Sequence, residues 1–284
     1  MRSVVVTGTS SGIGWSTAKL LLERGFRVFG SVLSQSEADH LQQEFSSGFT
    51  PLVFDVTDEK AVHDAADQVR VALKGERLAG LVNNAGVAIS GPALDVPIVD
   101  VRRLIDVNVI GPLIVTQAFG PLLGVDASLT GSPGRIVMMS SITGKIGYPL
   151  MSAYCASKHA IEGLAESLRR EFILFGIDVI IVGPGPAKTP IWDRIDEDAT
   201  AYVKSPLSFP LFKVREYGKE FVEEAGLSAD RIAALVCHAL ITRRPRVRYA
   251  LNPNPLTILM ATLLPKRIVD RVVAKRFDLL PPNR

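Results

Sequence analysis

The chain has 284 residues, of which 47% are hydrophobic and 21% charged, with a formal net charge of +3 at pH 7. That composition suits one large α/β core or two small ones, and its near-even charge does not suggest a nucleic-acid binder, which normally shows a concentrated basic face. Two cysteines, Cys155 and Cys237, offer no disulfide framework, and four scattered histidines (His40, His63, His159, His238) form no ligand pattern with them, so no metal is expected.

The opening MRSVVVTG lacks a charged and then apolar leader pattern. The longest candidate for a membrane-crossing run, Pro255–Pro265, is too short to span a bilayer. A soluble cytoplasmic protein is expected.

Apolar β-branched runs alternate with helical patterns along the chain. Ser3–Gly8 reads as a strand, and Gly14–Gly25 as a helix stopped by its last glycine. Phe26–Val32 and Pro51–Val56 are the second and third strands, with a helix over Lys60–Leu73. Leu78–Gly86 is a fourth strand, and a long helix covers Val99–Leu123. Gly134–Ser141 is a fifth strand, Ser152–Phe175 a helix and Ile177–Gly185 a sixth strand. Residues 191–225 break the rhythm as an insertion. A helix over Ala229–Ile241, a strand over Arg246–Leu251 and a proline-punctuated tail at 252–284 follow. Strands that are apolar on both faces and alternate with helices predict a parallel sheet covered on both sides. The expected fold is one doubly wound α/β domain over 1–284, with about seven strands.

Thr7–Gly14, TGTSSGIG, joins the first strand to the first helix. Glycines there permit a tight turn and close approach of a pyrophosphate, which the helix N-terminus attracts with free N–H groups and its dipole. The spacing Gly8, Gly12, Gly14 resembles the TGxxxGxG turn of the short-chain dehydrogenase/reductase family. NNAG at Asn83–Gly86, Asp55 in FDVTD, and PGPAKT at Pro184–Thr189 resemble further segments of that family, in the same order. The resemblance runs from about Val4 to Thr189 and implies a Rossmann fold binding NAD or NADP. It assigns cofactor contacts to Gly8, Ser10, Ser11, Gly12, Ile13 and Gly14; to Asp55 and Val56; to Asn83, Ala85 and Gly86; and to Pro184, Gly185 and Thr189. Asp55 would accept from the adenine amino group, and Thr189 would touch the nicotinamide carboxamide. On the residues alone, Asn83 and Asn84 could instead cap a strand, and Asp55 the next helix.

SAYCASKHA sets Tyr154 and Lys158 four residues apart in a predicted helix, hence on one face. A neighbouring cation favours the phenolate. Bringing a tyrosine from ~10 to near 7 takes about 4 kcal/mol, which two close cations in a partly desolvated site could supply. The expectation is therefore a Tyr154 acidified by Lys158 and by an oxidised nicotinamide. Family resemblance completes a tetrad with Ser141, which would hold the substrate oxygen, and Asn108, which would hold a water linked to the lysine. It also gives Tyr154 and Lys158 cofactor contacts, with Lys158 donating to the nicotinamide ribose. The implied reaction is hydride transfer between an alcohol and a carbonyl, with Tyr154 as acid and base. A catalytically silent dinucleotide-binding sensor or scaffold is the alternative.

The second strand usually reveals the cofactor choice through an acidic or a basic residue at its end. Val32 and Leu33 stand there instead, and Ser11 is also neutral. The lack of a phosphate-pairing cation favours NAD over NADP. Arg24–Leu41 resembles the retinol and hydroxysteroid dehydrogenase-like branch, which contains many NAD users. Ile191, Trp192, Tyr202, Leu207, Phe209, Leu211, Phe212 and Tyr217 suit a lid over an apolar substrate, steroid-like, retinoid-like or long-chain, or packing beneath that lid. In the tail, Ile268, Val269, Val272 and Val273 share one side, flanked by Lys266, Arg267, Lys275 and Arg276. That stripe fits either a membrane surface or packing on the protein itself or on a neighbouring subunit. The resemblance also implies a homo-oligomer.

Overall fold

The computed structural model describes residues 1–45, 47–190 and 201–281. Seven strands pair in parallel: β1 Ser3–Val6, β2 Arg27–Val32, β3 Phe49–Val53, β4 Gly80–Asn83, β5 Arg135–Met139, β6 Asp178–Pro184 and β9 Arg248–Leu251. Their order is β3-β2-β1-β4-β5-β6-β9. Chain direction across the sheet reverses between β1 and β4, and a doubly wound sheet opens its ligand crevice at that point.

The first strand shows why the sheet is parallel and central. Val4, Val5 and Val6 are all fully buried. Side chains alternate, so Val5 faces a layer built from Leu81, Met138, Phe119 and Ile161. Val4 and Val6 face the other layer, with Leu21, Val82, Ile232 and Val236. Helices α3 Glu59–Leu73, α5 Gly111–Gly120 and α6 Ser152–Glu171 supply the first layer. The second comes from α1 Gly12–Glu23, α2 Gln35–Phe45 and α8 Ala229–Ile241. Each such side chain contributes roughly 1.5–3 kcal/mol on burial.

Several boundaries differ from those expected. Helix α2 has no counterpart in the sequence reading: it is mostly polar, and only Ala38 and Leu41 are buried. The long helix starts one residue earlier, as α4 Ile98–Ile105, and continues through α5 to Val125. Two π turns, Asp106–Ile110 and Pro121–Val125, interrupt its regular winding. This helix is long and apolar enough to cross a membrane, contrary to the sequence expectation, and 56% of its most apolar window is buried in the protein. The insertion contains α7, Ser208–Ala225. A two-stranded ribbon pins its base, with Ala187 and Lys188 (β7) paired to Leu227 and Ser228 (β8). The tail forms α9 Pro255–Leu263 and α10 Lys266–Arg276.

Candidate active site

The turn after β1 is held from three sides. Thr7 Oγ1 accepts from the backbone N–H groups of Asn84 and Ala85, at 2.9 and 3.0 Å. Asn84 Nδ2 donates back to the Thr7 and Gly8 carbonyls. Ser31 Oγ accepts from the Gly8 N–H at 3.0 Å. Gly8 and Gly12 have φ of 69° and 57°, where a Cβ is disfavoured. A Cβ on Gly14 would lie 1.9 Å from the Gly8 carbonyl oxygen, so only glycine lets the helix start this close to the turn.

The start of α1 suits an anion. Its N-cap Ser11 makes no side-chain cap, and its first turn has no acidic residue. Ser10 and Ser11 are exposed. The unfilled N–H groups and the dipole therefore face outward, as a dinucleotide pyrophosphate requires. Thr189 lies alongside: its Cγ2 would be 3.3 Å from a Cβ on Gly12.

The expected cofactor residues divide. Pleating turns Asn83 toward the α5 layer, where its Nδ2 donates to Thr116 Oγ1 and contacts Met138 Sδ. The side chain that holds the glycine turn is its neighbour Asn84. Asp55 does not cap a helix: its carboxylate accepts from the Thr57 N–H and hydroxyl, and Asp58 is the N-cap of α3. Val56 is buried, with its Cγ2 2.7 Å from where Gly111 would carry a Cβ.

A cavity of about 340 Å³ opens over the carboxyl ends of β4, β5 and β6. Its lining includes Ile13, Asn84, Gly86, Pro184, Gly185 and Thr189, together with Ser141, Tyr154 and Lys158. Ile142, Ile146, Met151, Val214 and Phe221 add apolar lining. Of the insertion residues expected to line a pocket, Tyr217 does so. Tyr202 and Leu211 are buried in a separate cluster that Leu207 packs against, and Phe209 and Phe212 are exposed. Ile191 and Trp192 lie outside the described residues.

Ser140 and Ser141 point in different directions. Ser140 Oγ donates to Glu162 Oε1 at 2.7 Å. Ser141 caps a short 3₁₀ turn, accepting from the Thr143 N–H, and its hydroxyl lies near enough to the Tyr154 phenol to pull its pKa down. Asn108 sits inside the first π turn, whose extra residue widens the helix. Its amide exchanges two 2.8 Å hydrogen bonds with the Val87 backbone and donates to Ser157 Oγ. Lys158 Nζ donates to the Met139 carbonyl at 3.0 Å. A Cβ on Gly86 would lie 3.2 Å from Asn108 Oδ1 and 3.8 Å from Lys158 Nζ.

In the cofactor-free protein the electrostatics run opposite to the acidification expected with nicotinamide bound. Burial pushes the Tyr154 phenol up to about 12; the Ser141 hydroxyl pulls it down, and Cys155 adds to the rise. Lys158 does not reverse that rise. Burial lowers Lys158 itself to about 8, and one of its N–H donors goes to the Met139 carbonyl. Desolvation, which penalises both charged forms, outweighs the attraction that four-residue spacing promised.

Glu162 escaped the sequence reading altogether. It lies one turn beyond Lys158 and is buried. Arg248 Nε donates to both its oxygens at 3.1 Å, and Lys145 pairs with it at 3.0 Å. Burial would raise its carboxyl, but hydrogen bonds from Arg248, Ser140 and Lys145 hold it below the usual range. The four-residue step from Lys158 was the signal available.

The profile of the short chain dehydrogenase family matches residues 2–200. An NADPH-dependent 3-dehydrocapnine reductase from Ornithobacterium rhinotracheale is 34% identical over 276 residues, covering 97% of each chain. Human retinol dehydrogenase 5 is 36% identical over 284 residues, covering 95% of this chain and 87% of its own. Among solved structures, a short-chain dehydrogenase from Streptomyces avermitilis superposes with a TM-score of 0.75 at 25% identity, over 98% of this chain and 96% of the other. A short chain dehydrogenase/reductase from Burkholderia phymatum in complex with NAD reaches 0.78 at 22% identity, over 95% of both chains. With the glycine turn, the parallel seven-stranded sheet and these relatives in agreement, the chain belongs to the short-chain dehydrogenase/reductase family and is an NAD(P)-dependent oxidoreductase.

Proposed function

We propose that the protein interconverts an alcohol and a carbonyl on an apolar substrate, with Tyr154 moving the proton. Ser141, Tyr154 and Lys158 lining one cavity together with many apolar side chains carry this reading. A substrate oxygen placed between the two hydroxyls would meet a donor and a proton carrier together. When bound, the nicotinamide supplies or accepts the hydride. The N-terminus of α1 and the Gly8–Gly14 turn would hold its pyrophosphate, and Thr189 would touch the nicotinamide end. Lys158, protonated below about 8, offers donors to the ribose and positive charge near the phenol. Asn108 fixes Val87 and Ser157 around them. The apolar walls exclude water and suit a steroid-like, retinoid-like or long-chain substrate, a range that includes the alcohol named for the human relative.

We assign a preference for NAD. Glu37 Oε2 accepts from the N–H groups of Leu33 and Ser34, the two residues that follow β2. A carboxylate there opposes a 2′-phosphate and favours free ribose hydroxyls. The NADPH dependence named for the Ornithobacterium relative points the other way, so kcat/KM is compared for both cofactors.

The experiment is spectrophotometric. Protein is mixed with NADH or NADPH and apolar ketones of increasing length, or with the oxidised cofactors and the matching alcohols. Turnover that rises with apolar length supports the reading. Cofactor binding without turnover across the panel supports the silent sensor.

A further inference from the structure

The tail carries apolar side chains that the protein leaves uncovered. In α9, Leu256, Leu259 and Leu263 are 68%, 51% and 72% exposed. In α10, Val273 joins the cluster around Phe277, while Ile268 and Val272 stay 46% and 65% exposed. The apolar stripe is therefore wider than its seat: one edge packs and the other is bare. A helix that only docks on its own core has no need of the second edge.

Cations border this edge. Lys266, Arg267, Arg271 and Lys275 are all exposed. Residues 252–284 contain six Lys or Arg and two Asp or Glu, a net +4. The whole chain is +3, so residues 1–251 sum to −1, and the positive balance of the molecule resides in the tail.

We propose that α9 and α10 dock on an anionic lipid surface, with the leucines among the acyl chains and the lysines and arginines at the headgroups. Charge complementarity selects this occupant. Pairing with a second copy about a two-fold axis would set the same cations against each other. The packed edge of the same segment borders the cavity. Phe277, just past α10, packs edge-on against Tyr148 and Tyr217, at ring-centre distances of 5.9 and 5.7 Å. Both tyrosines line the cavity. An apolar substrate dissolved in the bilayer would thus enter from the lipid side. That last step rests on the proposed function; the docking itself does not.

The test is cosedimentation of the full chain, loaded with NADH, with vesicles of phosphatidylcholine alone or mixed with phosphatidylserine. The protein should pellet with the mixed vesicles and be released by salt. Leu259→Glu/Leu263→Glu and Lys266→Glu/Arg267→Glu should each lower partitioning at least tenfold, with NADH binding and thermal stability unchanged. Absence of binding to mixed vesicles, or binding indifferent to both pairs, overturns the proposal. So does a dimer by light scattering that Leu259→Glu/Leu263→Glu converts to monomer, since the face then belongs to a second copy. Failed vesicle binding with intact ketone turnover removes only the docking; intact vesicle binding with no turnover removes only the proposed chemistry.

Discussion

Lys158 directs its ammonium at the Met139 carbonyl, 3.0 Å away, and stands 5.7 Å from the centre of the Tyr154 ring. The pair therefore does not acidify itself. In the free protein Tyr154 should remain a phenol well past pH 10, because burial holds it near 12. Ultraviolet difference titration of wild type against Tyr154→Phe should show no buried tyrosinate below that pH. Oxidised cofactor, which brings a second positive charge, should lower the midpoint by several units. Tyrosinate at neutral pH in the free protein would contradict this account.

Tyr154→Phe should reduce kcat by about 10²–10⁴, the range for loss of a general acid or base. Cofactor affinity should change little, since the turn and the α1 N-terminus are untouched. Fluorescence titration with NADH beside steady-state rates checks both halves.

Lys158→Met should stabilise the free protein while lowering activity. Burial takes Lys158 from 10.5 to about 8, a cost of roughly 3 kcal/mol to the charged folded state. Orphaning the Met139 carbonyl returns about 1 kcal/mol of that. Between pH 8 and 10.5 the unfolded chain binds the extra proton, so wild-type stability from this group rises with pH across that window. The advantage of the variant is therefore greatest below pH 8 and shrinks toward 10.5. Urea unfolding at several pH values reads it directly.

Gly14→Ala should weaken NADH binding at least roughly tenfold, about 1.4 kcal/mol. The new methyl would collide with the Gly8 carbonyl, a backbone atom 1.9 Å away. Ala at Gly75, which has open space around it and lies far from the turn, is the control: its positive φ makes a stability change expected, but not a change in affinity.

Glu162→Ala should destabilise by about 3 kcal/mol, because it strands the largely buried Arg248 guanidinium. Glu162→Gln keeps the shape and should cost less, yet it loosens Ser140 and so the adjoining Ser141. Its signature is a lower kcat with little change in the KM for NADH. The Glu162 carboxyl is held low in the fold, so its stabilisation is present above the ordinary glutamate range and lost as pH falls through the folded value. Acid unfolding of Glu162→Gln should show a flatter dependence on pH than wild type.

The fold was readable where strands are apolar on both faces, as Val4 to Val6 are. It was not readable at α2, whose packing needs only Ala38 and Leu41 and leaves a polar pattern. The π turns also escaped, since the run Val107–Val125 is apolar almost all round and hides the phase slip that one extra residue causes. Motif residues lay in order along the chain, but direction did not. Which of Asn83 and Asn84 faces the turn depends on strand register, and which of Ser140 and Ser141 meets Tyr154 depends on the 3₁₀ turn after β5. The sign of the Tyr154 shift needed burial, which spacing cannot convey.

Tyr154, Lys158 and Glu162 occupy successive steps of a single helix, α6. A rigid rod keeps such a set in mutual alignment: thermal jostling displaces the three together, and their separations hardly change. Much of the remaining lining comes from α7, through Val214, Tyr217 and Phe221. Reshaping α7 for a new molecule would leave the reactive ruler untouched, so substrate choice can drift while the chemistry stays in place.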